Sequence, residues 1–251
     1  MPISRFLIIA ISGACLPCWA GVPDGPPPVA IQAGYTRAVF ADDFESISLD
    51  HPENGRNTWY NELWYGAPRP ADEVRASDGI LSINVPAESR FHSITTVPRQ
   101  PTGGISFRHG YFEARMLFSD DVQDWSAFWL LSRPHSAGSD DGRWCEIDIF
   151  EHFGPDVFVG TVHDWTKTKR TRNGNSFHRL RRPIKFSVWH TYSLLWVPGR
   201  LTWYLDGEAL MSAETPSVCE QQDMFLTLSA QKHHEGPPVQ LQVDWVRVYS
   251  K

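Results

Sequence analysis

From Thr36 to Tyr249 the chain is a succession of short β-branched and aromatic runs cut by turn residues, and helix-period segments are almost absent. Runs of this kind bury one face and pair along both edges, so they predict a two-sheet antiparallel sandwich rather than a mixed or helical fold. Strands are expected at 36–44, 58–65, 79–85, 91–98, 105–117, 125–132, 143–151, 157–165, 186–196, 200–205, 224–230 and 239–249. Asp206-Gly207, after the run LTWYL, reads as a hairpin turn because both positions tolerate positive φ. A length of 251 residues suits one large all-β domain, and no internal repeat marks a second.

One run departs from simple alternation. Residues 144–151, WCEIDIFE, place Trp144, Glu146 and Asp148 on one strand face and Cys145, Ile147 and Ile149 on the other. Strict alternation would then put Glu151 on the apolar face, where an unpaired carboxylate costs several kcal/mol unless it neutralises. One extra residue, a β-bulge near Ile149 and Phe150, returns Glu151 to the face of Glu146 and Asp148. The outer two Cα atoms then lie about 13 Å apart at ~3.3 Å per residue, a span that inward-leaning glutamates close to the ~5 Å of a retaining glycosidase pair. In that chemistry one carboxylate attacks the sugar and another, protonated, feeds the leaving oxygen. Asp148 between them helps keep Glu151 protonated, since crowded like charges raise one member's pKa. The competing reading is a solvated acidic strand face.

The flanking segments bear on that choice. FRHGYFEARM (107–116), WSAFWLL (125–131), TVHDW (161–165), WHTYSLLWVPGRLTWYLDG (189–207) and VDWVRVY (243–249) occur in this order around WCEIDIFE. The set resembles family 16 glycoside hydrolases of the bulged E-x-D-x-x-E type over about residues 36–250. The resemblance implies an all-β fold, a two-sheet antiparallel jelly-roll sandwich with an open cleft. It also implies retaining endo-hydrolysis or transglycosylation of a β-linked polysaccharide, with Glu146 as nucleophile, Asp148 as its helper and Glu151 as general acid/base. No cofactor is needed for that chemistry. A lectin-like module that binds without cleaving is the rival, but it has no use for three aligned acids.

Period two sorts the aromatic residues, which make up 13% of the chain. Trp125 and Trp129 share a face that the resemblance places in the cleft, and with Trp144 they are candidate sugar platforms. His163 and Trp165 pair on one face of the following strand, where His163 is a candidate partner for substrate or for Glu151. Trp64 and Arg115 are further substrate-binding candidates, Arg115 alternatively pairing with a cleft carboxylate. Trp189, Trp196 and Trp203 remain open between core and cleft. His233, His234 and Glu235 read as a loop bordering the cleft. Members of the family often carry a structural calcium, for which Asp244 and the carbonyl of Gly79 match the family's ligands; a solvated Asp244 is the alternative.

The ends and the charges complete the reading. Residues 1–20 have the short apolar run and small-residue end of a signal peptide, and 21–35, rich in Pro and Gly, read as a flexible leader before a catalytic domain at 36–251. The expected location is therefore secreted or periplasmic. Removing Arg5 with the signal takes the net charge from −6 to −7. The expected partner is a polysaccharide, with no nucleic acid, no membrane after signal removal, and a monomeric state. Cys145 and Cys219 are expected as two unbridged thiols, although export permits a bridge. Residues 167–185 hold eight of the chain's 23 basic residues and no acid, a rim that would steer an anionic chain or merely blunt an edge strand.

Overall fold

The computed structural model describes residues 25–49, 58–61, 69–100, 102–137, 142–154, 157–166, 169–173, 178–179 and 185–251. The signal peptide at 1–20 and Trp64 lie outside the described residues. Among the described residues, no helix is long and apolar enough to cross a membrane.

Two antiparallel sheets pack face to face as a jelly-roll sandwich. In chain order the strands are β1 (Arg37–Asp42), β2 (Val74–Ser77), β3 (Ile80–Val85), β4 (Phe91–Thr95), β5 (Gly110–Leu117), β6 (Ala127–Ser132), β7 (Cys145–His152) and β8 (Val157–Thr166). They continue as β9 (Lys169–Asn173), β10 (His178–Arg179), β11 (His190–Val197), β12 (Arg200–Leu205), β13 (Glu208–Glu214), β14 (Met224–Gln231) and β15 (Val239–Ser250). The outer sheet runs β13-β12-β11-β5-β15-β3-β2, with β1 also on β15. The inner sheet runs β8-β7-β6-β14-β4, and both β9 and β10 pair with the outer edge of β8. WCEIDIFE therefore sits in an interior strand, flanked on both sides by hydrogen-bonded neighbours.

Alternation decides what lies between the sheets. Phe128 and Leu130 of β6, Ile147 and Ile149 of β7, and Leu226 and Leu228 of β14 point inward against Phe112, Leu194, Trp196, Trp203, Val246 and Val248 of the outer sheet, all with no exposed surface. Each such side chain gains roughly 1.5–3 kcal/mol from leaving water. The opposite face of the inner sheet carries a second apolar group of Val97, Ala127, Trp129, Leu131 and Phe225, with Trp144 packed against it.

Several expectations need correction. The 58–65 run forms only isolated bridges at Trp59 and Tyr60 among the described residues. The expected 105–117 strand starts at Gly110. β13, with the sequence EALMSAE, has a composition that does not favour strands, yet the Asp206-Gly207 turn, with φ of 49° and 79°, folds it back on β12. The leader is not all flexible: α1 (Pro28–Ala33) starts at a proline, ends on left-handed Gly34, and buries Ala30 against Tyr35, Tyr111, Tyr204 and Tyr249 of the outer face. The two thiols are instead joined, Cys145 to Cys219, with Cα atoms 5.1 Å apart. The Pro-containing segment before β14 forms α2 (Ser217–Glu220), which brings Cys219 to the first residue of β7 in the core.

Beside the tyrosines on the outer face, Glu113 of β5 is 4% exposed, and its Oε1 has no hydrogen-bond partner. Burial pushes its carboxyl up to about 7, against the pull of Arg247. A carboxyl raised on folding supports the fold while neutral, and that support is lost as pH rises from the unfolded value of 4.5 through 7. Glu113→Gln keeps the neutral shape, so its melting temperature relative to wild type should be more favourable at pH 8 than at pH 5. An equal difference at both pH values would contradict the assignment.

Candidate active site

The bulge is present where the broken alternation of β7 demands it. Against β6, Trp129 pairs with Asp148 and Phe128 with Phe150, which leaves Ile149 as the extra residue. On the other edge, Asp148 pairs with Thr161 and Glu151 with Val159, so Ile149 and Phe150 together face Gly160. Both Ile149 and Phe150 are fully buried. Glu146, Asp148 and Glu151 consequently line one depression of about 180 Å³ together with Trp125, Ala127, Trp129, Trp144 and Gln231.

A bulge frees backbone groups from the ladder, and buried groups need partners. Here Trp203 of β12 in the opposite sheet donates its indole N–H to the carbonyl of Asp148 at 2.8 Å. The ring reaches that carbonyl through the space above Gly160, where a Cβ atom would lie 2.6 Å from the indole and 2.7 Å from Met211. Trp203, left open between core and cleft by its periodicity, is thus a core residue, fully buried like Trp196.

Each outer glutamate receives an indole N–H. Trp165 Nε1 donates to Glu146 Oε2 at 3.1 Å, and Trp125 Nε1 donates to Glu151 Oε1 at 2.8 Å. His163 Nε2 lies 3.2 Å from Asp148 Oδ2 and 3.8 Å from Glu146 Oε1. Its register opposite Glu146 therefore sets it beside these two carboxylates rather than beside Glu151. A run of stacked rings backs this side: His135 on Trp144 at 4.2 Å, Trp144 on Trp165 at 5.2 Å, and Trp165 on His163 at 4.8 Å. Trp129 is only 6% exposed and donates its N–H to Ser229, so it forms the floor of the depression.

Crowding controls the charge. One ligating atom from each of Glu146, Asp148 and His163 falls within 4.8 Å of the others. Burial first, and then the charges of Asp148 and Glu151, push Glu146 up to about 8, with His163 and the Trp165 N–H opposing. The side chain of Glu146 still has 20% of its surface open to the cleft. Burial and crowding therefore favour a proton on Glu146 above the ordinary carboxylate range.

The described residues can now be set beside known proteins. Residues 76–247 match the description "Glycosyl hydrolases family 16". The chain belongs to glycosyl hydrolases family 16. Among its curated relatives in that family, endo-1,3-1,4-beta-glycanase EglC of Rhizobium meliloti (strain 1021) is 27% identical over 88% of this chain and 53% of its own length. The beta-glucanase of Rhodothermus marinus is 32% identical over 70% of this chain and 64% of its own length. The chain thus spans somewhat more than half the length of these relatives. The solved laminarinase from Rhodothermus marinus superposes with a TM-score of 0.65, covering 85% of this chain and 97% of that one at 24% identity, a likeness of fold.

Arg115 and Asp244 lie away from the cleft and pair with each other. Arg115 lies on the outer face of β5, where it donates to Asp244 Oδ2 at 2.5 Å and lies 4.9 Å from the Trp189 ring. It takes no part in the cleft. The same ion pair engages one of the two carboxylate oxygens of Asp244, the expected calcium ligand, and Gly79 lies in the β2–β3 turn with φ of 72°.

Sequence reasoning missed Gly160 and Trp203 as the support of the bulge and His135 as the end of the ring stack. Only Gly160 carried a signal: an isolated glycine inside a strand pattern marks a close approach. Trp203→Phe removes one N–H and leaves the Asp148 carbonyl buried without that partner, at a cost of about 1–3 kcal/mol. We expect a lower melting temperature together with a fall in kcat on polysaccharide. Wild-type kcat in a folded Trp203→Phe variant would show that the bulge holds its shape without this bond.

Proposed function

We propose that this chain is an exported, retaining endo-β-glycanase that cleaves a β-1,3- or mixed-linkage glucan backbone. The observation that carries the reading is the bulged strand β7, which directs Glu146, Asp148 and Glu151 into one cleft. A lectin gains nothing from three crowded carboxyls whose desolvation and mutual repulsion raise a pKa. A retaining enzyme uses the shared proton: one carboxylate attacks C1 while another donates to the departing oxygen.

In this reading Glu146 is the nucleophile, Glu151 the general acid/base and Asp148 the group that orients Glu146. The proton that burial favours on Glu146 has to reside on Glu151 when substrate is bound. Positive charge developing at C1 favours ionised Glu146, and a glycosidic oxygen beside Glu151 offers its proton an acceptor. His163, facing both Asp148 and Glu146, supports negative charge on that side. Transglycosylation uses the same groups with a sugar hydroxyl in place of water. The names of the relatives above support a β-glucan substrate, and residues 1–20 support export.

The basic segment favours a second reading of the substrate, in which the glucan carries acidic substituents. Backbone pairing sets Arg172 opposite His163 and Arg170 opposite Trp165, along the sheet edge nearest the ring stack. The side chains from Lys167 to Arg182 lie outside the described residues. A basic rim beside the cleft would steer a chain bearing carboxyl, succinyl, pyruvyl or sulfate groups.

Glu146→Ala should abolish turnover, whereas Glu151→Ala should retain activity on an aryl glycoside whose leaving group needs no proton. The first reducing end released by the wild type, followed by NMR, should be the β-anomer; an initial α-anomer would overturn retention. For the second reading, kcat/KM on an acidic polysaccharide should fall with salt, and more steeply in wild type than after changing Arg170, Arg172, Arg181 and Arg182 to Ser. Salt-independent rates on that substrate in both proteins would leave only the neutral glucan.

A further inference from the structure

Trp125 contributes more to this cleft than an apolar surface, because its indole N–H is committed to Glu151 Oε1 at 2.8 Å. A carboxylic acid that accepts an N–H on one oxygen carries its own proton on the other. The plane of the Trp125 ring therefore fixes which Glu151 oxygen takes the N–H. That plane is itself held. The His233 ring lies on Trp125 with centroids 5.1 Å apart and 5° between planes, and Phe153 closes on both rings, 6.1 Å from Trp125 and 4.9 Å from His233.

The loop that supplies His233 is anchored well beyond what an exposed connection needs. Its backbone N–H donates to Gln123 at 2.9 Å, and its carbonyl accepts from Arg90 at 2.8 Å. The preceding Lys232, 1% exposed, donates from its ammonium to the carbonyls of Pro86, Ala87 and Gly236 at 2.9, 3.0 and 3.1 Å. A buried cation satisfied by three carbonyls ties the turn after β14 to the β3–β4 connection. Burial, followed by His234, His152 and Arg90, holds His233 below the ordinary histidine value, which favours the uncharged ring in the stack.

We propose that His233 is a positioning residue for proton donation: by fixing the Trp125 ring it keeps the indole N–H on one oxygen of Glu151 and directs the other at the glycosidic oxygen. The inference rests on the reading of Glu151 as the general acid. When the bond from C1 to the glycosidic oxygen breaks, its electron pair stays on that oxygen, which takes the Glu151 proton, while Glu146 forms the new bond to C1. The stack matters for the first of these transfers and not for the second.

The test is to compare His233→Ala, His233→Phe and Trp125→Phe with wild type on a soluble β-1,3-1,4-glucan and on a 2,4-dinitrophenyl glycoside of a matching oligosaccharide. In His233→Ala, kcat on the glucan should fall about tenfold with KM within about twofold, since a general acid supplies ~10²–10⁴ and only part of that is lost by misplacing it. On the dinitrophenyl substrate, whose leaving group needs no proton, kcat/KM, which reports formation of the glycosyl-enzyme, should stay within about twofold of wild type. His233→Phe, which keeps a ring on Trp125, should restore most of the glucan rate. Trp125→Phe, which keeps a ring but has no N–H, should repeat the leaving-group-dependent loss and serves if His233→Ala does not fold. A raised KM with intact kcat would make His233 a sugar platform, and an equal loss on both substrates or no loss at all would equally overturn the proposal. Glu151→Ala separates this failure from failure of the underlying reading. If it loses kcat/KM on the dinitrophenyl substrate as completely as on the glucan, the acid assignment falls; if it spares that kcat/KM while His233→Ala behaves as wild type, only the positioning role falls.

Discussion

The site depends on one backbone irregularity in a sheet that is otherwise regular. An unbulged β7 would turn Glu151 into the apolar interior, because successive strand residues face opposite ways. The extra residue is stable here because the two groups it disturbs are dealt with separately. Ile149 and Phe150 fill the core, and the loosened Asp148 carbonyl takes the Trp203 N–H from across the sandwich. Packing between the two sheets and the direction of the acids are thus one problem with one solution. A larger residue at 160 would displace the indole on which that solution rests.

The same principle governs the cleft side. Carboxyls this close repel each other, and rigid rings offset the crowding: Trp165 donates to Glu146, Trp125 donates to Glu151, and the His163 ring nitrogen lies 3.2 Å from Asp148. Indole is suited to the task, since it has one donor, no acceptor and a large flat face that neighbouring rings can lock. Its stacked neighbours hold its orientation at little entropic cost, as fixed rings have few rotamers to lose. The aromatic excess in the composition is therefore divided among three uses: core filling by Trp196 and Trp203, flooring of the cleft by Trp129, and direction of hydrogen bonds by Trp125 and Trp165.

What was legible in the sequence was what is local to a strand. The alternation of WCEIDIFE, broken at Glu151, located the bulge, and the Asp206-Gly207 turn predicted the hairpin at its place. Where a residue's partner comes from a distant loop, the sequence was silent. Nothing in His233 announces that it stacks on a ring 108 positions earlier, and nothing in Cys219 says that α2 carries it under β7. Arg115, expected to meet substrate or a cleft carboxylate, is set by strand parity on the outer face, where its carboxylate partner is Asp244. β13 escaped notice because its alanines and glutamates form a strand only when the preceding turn delivers them to β12.

The Cys145–Cys219 bond fastens the first residue of β7 to a segment 74 positions later, and neither cysteine has exposed surface. A thiolate must reach a sulfur in line to exchange with it, so in the native molecule the bond is shielded from small reductants and opens to them only after the core around α2 has parted. The compartment in which the chain folds therefore matters more than the one in which it later works. Material made in a reducing cytosol would reach the sandwich with β7 unfastened, and it would acquire the link only through an opened state that an oxidant could enter.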